Sequence, residues 1–81
     1  MLTTKQYLKN LDKKQILRLI EETKLDYYEK WVLTYSFIEK RMIDNICMRL
    51  NIGKTKYFYV LKEALIKIEY TIQDFDKVRT F

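Results

Sequence analysis

The feature that most limits the folds open to this chain is its near-lack of backbone breakers: no proline and a single glycine, Gly53, in 81 residues. Proline and glycine are the residues that interrupt helices most strongly, and a chain otherwise rich in Leu, Ile, Lys and Glu has little to stop one helix except local capping chemistry. The composition predicts an all-α fold. At this length the expectation is one small domain that buries somewhat more than ~60% of the surface its unfolded chain exposes, which leaves little room for an enclosed active-site cleft.

With one cysteine, Cys47, and no histidine, an internal disulfide is excluded and the usual zinc and nucleophile–base arrangements lose their components. Cys47 reads as a small buried apolar residue. There is no phosphate-binding glycine loop and no carboxylate pair that can be placed in a pocket, so neither an enzyme nor a cofactor or metal site is expected. The uninterrupted apolar stretches are short, and the opening "MLTTKQYLKN" lacks the apolar block of a signal peptide. A cytoplasmic, soluble chain with no membrane contact is the expectation.

The formal net charge is +5, and its distribution matters more than its size. Residues 1–18 carry five basic side chains against one acidic, residues 19–39 two against five, residues 40–62 six against one, and residues 63–81 three against four. Positive charge thus falls in two blocks; a concentrated positive field favours a polyanion such as nucleic acid, and on charge alone an ordinary solvated lysine surface is an equal alternative.

Local signals divide the chain into helices. Residues 4–10 can form a short leading helix. Asp12 is placed as an N-cap with Gln15 three positions on, a capping-box spacing, and Ile16, Leu17, Leu19 and Ile20 supply an apolar face up to about Thr23. Asp26 can cap the next segment, "YYEKWVLTYSF", in which Tyr28, Trp31, Val32 and Tyr35 fall at helical spacing and read as core. The polar "IEKR" at 38–41 connects to a helix from about Met42 to Leu50, with Ile43, Ile46, Cys47 and Leu50 inward. The last helix begins at Lys54; with Tyr57 set at zero, Val60, Leu61, Ala64, Leu65 and Ile68 fall within a ~140° arc. Ile72 and Phe75 share that arc, which carries the helix into the mid-seventies.

Between the last two helices lies "LNIGKTKYFYVLKEAL", residues 50–65. Two helices meeting steeply through a three-residue turn form a helix-turn-helix, and the spacing fits it. Ile46, Cys47 and Leu50 would line the first helix, Ile52 would plug the turn, and Tyr57, Leu61 and Ala64 would line the second, with Cys47 at the crossing point. The reversal after Leu50 asks for a left-handed residue, and Asn51 is the non-glycine residue best suited to it. Gly53 then falls at the N-cap of the final helix, where glycine is acceptable.

These residues carry a resemblance. "ICMRLNIGKTKYFYVLKEAL" resembles the helix-turn-helix of bacterial sigma-factor region four, and more closely the small phage and mobile-element transcription regulators of the ArpU type, in which a pair of aromatics opens the recognition helix. Ile46, Leu50, Ile52, Leu61, Ala64 and Leu65 match that framework, while Cys47 replaces Ala, Gly53 replaces Ser and Tyr57 replaces Val. The upstream "EKWVLTYSFIEKRMIDN" is similar to the preceding helix, so the likeness covers about residues 26–69 and leaves 1–24 outside as an N-terminal extension. It implies a recognition helix in the DNA major groove with contacts from Lys54, Thr55, Lys56, Phe58, Tyr59 and Lys62. Arg41 and Arg49 are expected as backbone contacts from the first helix of the motif.

Farther along the same outer face stand Ile66 and Tyr70, too distant to share the groove with Lys54 because each turn advances ~5.4 Å. Something apolar is expected to cover them: the tail 70–81, the N-terminal helices, or a second copy in a symmetric homodimer, with the intramolecular cover favoured. The sequence therefore predicts an all-α small bundle of four to five helices in one domain, with a helix-turn-helix at roughly 42–69, acting on double-stranded DNA as a transcription regulator. The alternative from another class is a protein-binding module that docks on RNA polymerase or another regulator with little DNA binding of its own. The acidic block at 19–39 and the many aromatics suit that role.

Overall fold

The computed structural model describes residues 3–79, with side chains described for residues 3–74. It is all-α, as the breaker-free sequence predicts. The helices are α1 (Thr4–Lys9), α2 (Lys13–Glu22), α3 (Tyr27–Leu33), α4 (Ile43–Leu50) and α5 (Lys54–Arg79), and α3 continues without a break into a π-helical turn, Thr34–Ile38.

The first three helices start for the same chemical reason. Thr3, Asp12 and Asp26 each accept a hydrogen bond from the backbone N–H three residues on, and Gln6, Gln15 and Glu29 each return a side-chain oxygen to the cap's own N–H. Each box satisfies two N–H groups that a helix start would otherwise leave without partners.

Two apolar clusters make up the interior. One joins Leu8 of α1, Ile16, Leu19 and Ile20 of α2, Leu33 and Phe37 at the end of α3 and its π turn, and Ala64 and Ile68 of α5. The other joins Val32, Ile46, Leu50, Tyr57 and Val60. Leu61 packs against both, and the neighbours Val32 and Leu33, each fully buried, divide between them. Residues 1–24, expected as an extension, thus supply half of the first cluster. Burying side chains of this size stabilises by about 1.5–3 kcal/mol each.

Where the apolar pattern was broadest the structure trims it. Leu17 is exposed, because only three of the four apolar residues on α2 fit one face. Met42 precedes α4 as its N-cap with its side chain in solvent, and Ile43 is exposed in the first turn. The fully buried residue of α4 is Ile46, while Cys47 is half-buried at the edge of the same cluster.

The α4–α5 turn is built as the sequence indicates. Asn51 has φ 55° and ψ 49°. The N–H of Ile52 donates to the carbonyl of Cys47 at 3.0 Å and that of Asn51 to Met48 at 3.3 Å, the paired bonds of a Schellman closure. Gly53 does not have positive φ, and its carbonyl accepts the first α5 bond from the N–H of Tyr57 at 2.9 Å, which makes it the N-cap. A second left-handed residue, Lys40 with φ 54°, was not foreseen. It closes the π turn, where Arg41 N–H donates to the Tyr35 carbonyl at 2.9 Å.

A Cβ built on Gly53 meets nothing within 4 Å. Gly53→Ser should hold or raise the melting temperature in circular dichroism, since serine is at least as good an N-cap. Asn51→Ala should lower stability by about 1 kcal/mol while Asn51→Gly retains it. A large loss from Gly53→Ser would mean that Gly53 is not the cap.

Candidate nucleic-acid interface

The first turns of α5 separate cleanly into an inner and an outer side. Tyr57 and Val60 are buried, whereas Lys54, Thr55, Lys56, Phe58, Tyr59 and Lys62 are all exposed. Tyr59 keeps 64% of its surface and Phe58 53%, so Phe58 does not join the core; its ring stands edge-on to Tyr57, centroids 5.2 Å apart. Lys54 Nζ lies 3.2 Å from Asp44 Oδ1, with both side chains well exposed. Such a pair contributes little and a competing anion can displace it.

The flank of this surface is organised by α3. Trp31 and Tyr35 stack with centroids 5.3 Å apart, and three cations lie over the aromatics of this helix and its π turn. Arg41 and Arg49 place their guanidinium carbons 5.6 and 5.9 Å from the Tyr35 centroid, and Lys56 Nζ sits 4.3 Å from that of Tyr28. The two arginines also share Asn45, whose Oδ1 accepts from Arg41 Nη1 at 3.2 Å and Arg49 Nε at 3.3 Å. Lys56 and Arg49 are therefore pre-positioned rather than freely waving. Arg41 departs from expectation: it precedes α4 instead of belonging to it, and Glu39 Oε1 accepts from its Nε at 2.8 Å, so its charge is already neutralised locally.

Ile66 and Tyr70 remain uncovered among the described residues, at 39% and 66% exposure. The intramolecular cover expected for them is not found. The chain after Tyr70 runs on as α5 to Arg79 instead of folding back. The start of α1 reaches only the edge of a shallow groove lined by Thr4, Phe58, Lys62, Leu65, Ile66 and Glu69. The described residues hold no group of three or more metal-ligating side chains, and none of their helices is long and apolar enough to cross a membrane.

Sequence reasoning missed the pair that orients α5 against α3. Glu29, in the first turn of α3, is only 2% exposed. Its Oε1 accepts from Lys67 Nζ at 2.6 Å and from the Asp26 N–H at 3.0 Å, and its Oε2 is buried without a partner. The hydrogen bond to Glu29 is the main reason the Lys67 ammonium is held above the ordinary lysine pKa. The Asp26–Glu29 capping box accounts locally for one bond to Glu29, but its charge partner lies 38 residues away and no local signal points to Lys67.

A small all-helical protein emerges, whose longest helix presents a basic, aromatic end beside an arginine–tyrosine shelf. Residues 1–67 match the family described as protein of unknown function DUF2508, and the chain belongs to that family. The match takes in α1 and α2, so the N-terminal helices and the α4–α5 turn are parts of one family unit. Comparison with curated proteins and with solved structures gives no match.

Glu29 is buried although the Lys67 side chain is partly exposed, so removing Lys67 strands a buried carboxylate and Lys67→Met should lower the melting temperature. Adding Glu29→Gln, which keeps an oxygen for the Asp26 N–H but removes the charge, should restore part of the loss. Because the Lys67 pKa is raised on folding, its contribution is complete below the ordinary lysine range and fades as pH climbs through the raised value. Alkaline thermal melts should show that fading in the wild type and lack it in Lys67→Met.

Proposed function

We propose that the protein is a sequence-specific DNA-binding transcription regulator in which α4, the Asn51 turn and α5 act as a helix-turn-helix and the first turns of α5 enter the major groove. The observation that carries this is the left-handed Asn51, which directs α5 so that Lys54, Thr55, Tyr59 and Lys62 all face solvent on one side. A major groove about 12 Å wide admits one helix, and the N-terminal residues of that helix reach base edges. In this arrangement Lys54 and Lys62 meet phosphates or guanine edges, Thr55 and Tyr59 hydrogen-bond to bases or backbone, and Phe58 meets a thymine methyl. Arg49 and Lys56, steadied on tyrosine rings, contact the flanking backbone. The resemblance to sigma region four and to regulators of the ArpU type supports the same assignment and suggests a phage or mobile-element role.

A second reading has its own support in the exposed apolar row Phe58, Tyr59, Ile66 and Tyr70, which spans about 18 Å of α5. Such a row suits a protein partner, RNA polymerase in the sigma-like case, or a second copy of the chain. Recovery of polymerase subunits on the protein in the absence of DNA would favour it.

Selection from a random duplex pool should enrich a defined sequence, and gel shifts should show a complex that weakens as salt rises. Lys54→Ala combined with Lys62→Ala should reduce affinity and lower the slope of log affinity against log salt by about two, one for each lost phosphate contact. The absence of any salt-dependent complex at micromolar protein would overturn the DNA assignment.

A further inference from the structure

A cleft of about 670 Å³ opens between α1, α2, the π turn and the inner side of α5, sharing Leu61, Arg41 and Ile43 with the shallow grooves beside Phe58. A chain this short was expected to leave little room for an enclosed cleft; this one is open to solvent, and its size is that of small-molecule sites. Its floor is apolar: Leu8, Ile16, Phe37 and Tyr57 are buried there, with Leu61 beside them. The floor carries one polar spot, where the Ser36 and Tyr57 hydroxyls lie 3.1 Å apart. One hydroxyl proton is used in that bond and the other is left to donate to a guest.

The rim has the opposite character. Lys5 and Lys9 stand one turn apart on α1, Lys13 begins α2, and Lys40 and Arg41 follow the π turn. The one carboxylate on the rim, Asp12, is engaged as the α2 cap, and Arg41 is engaged by Glu39. Lys5, Lys9, Lys13 and Lys40 have no carboxylate partner among the described residues. Lys40 also holds its place in a left-handed conformation, where glycine would be less costly.

We propose that this cleft binds a small amphiphile with an apolar chain and a single carboxylate head. The floor takes the chain, the lysines take the carboxylate, and the free hydroxyl proton can bond to the head of a guest that reaches it. A phosphate backbone would leave the floor empty, and a neutral lipid would forgo charge-assisted hydrogen bonds to the exposed lysines. The four lysines outnumber Asp12, so the rim as a whole attracts an anionic head, and a fatty carboxylate is the simplest that carries an apolar chain.

Isothermal titration of the full chain with decanoate below its micellar concentration should give saturable, equimolar binding, and neutral decanol should bind more weakly. Lys9→Glu with Lys13→Glu should weaken decanoate by about tenfold or more. Lys24→Glu with Lys30→Glu, an equal change of charge at exposed positions outside the cleft, should leave it unchanged. If the glutamate pair at 9 and 13 lowers the melting temperature, Lys9→Gln with Lys13→Gln serves for the same comparison. The proposal is overturned by no saturable binding, by equal weakening from both charge pairs, by decanol binding as tightly, or by attachment to phosphatidylglycerol vesicles without decanoate binding.

Discussion

The contact between α3 and α5 is the constraint on which the rest of the molecule depends. Val32 and Leu33 point from α3 into different clusters, and α5 answers with Tyr57 and Val60 for one, Ala64 and Ile68 for the other. Ala64 is fully buried; a larger side chain there would hold α5 away from its neighbours and cost the packing of both clusters. The Glu29–Lys67 pair lies across the same contact. A buried carboxylate with one oxygen unpartnered is tolerable only while its other oxygen keeps both donors, so the pair punishes any sliding of α5 along α3.

With α5 fixed by α3, α4 has little freedom left. Its C-terminus is tied by the Schellman bonds around Asn51, and its outer side by Asn45 accepting from Arg41 and by Arg49 lying over the Tyr35 ring. Its N-terminus has no side-chain cap, so the orientation of α4 comes from tertiary contacts and the turn rather than from its own start. The outward face of α5 is what remains once the inner demands are met. That is why its exposure is a property of the whole bundle and not of the local sequence alone.

Local chemistry was legible in the sequence, and distant pairing was not. Asp12, Asp26, Asn51 and Gly53 do what their side chains dictate within a few residues, and the Tyr57 to Ile68 stripe follows from helical period. Leu17 and Ile43 show where period alone overreaches, because an apolar residue at the edge of an arc or in a first turn has nothing above it. The Glu29–Lys67 pair, the π turn and left-handed Lys40 depend on contacts made only after folding. The cleft was illegible for the same reason: its rim joins α1, α2 and the segment after the π turn, each of which alone reads as an ordinary solvated lysine face. On the outer face of α5, the exposed residues could be named from the sequence, but the restraint of Lys56 and Arg49 by tyrosines, and the diversion of Arg41 to Glu39, could not.

The charge order along α5 sharpens the question of what its first turn is for. A helix dipole favours acids at the N-terminus and bases at the C-terminus, by about 0.3–1 kcal/mol for each exposed group. Here the first turn holds Lys54 and Lys56 and no acidic residue, which is the unfavourable order, and the exposed Lys54–Asp44 pair offsets only a small part of it. α2 has the same order, with Lys13 and Lys14 in its first turn, but its start is offset by the acidic cap Asp12, whereas α5 starts at Gly53 with no acidic cap. An anion brought to that end would gain from the helix N–H groups, the dipole and both lysines together. An anion at that end would offset the repulsion that the lysines and the dipole exert on each other in the free protein.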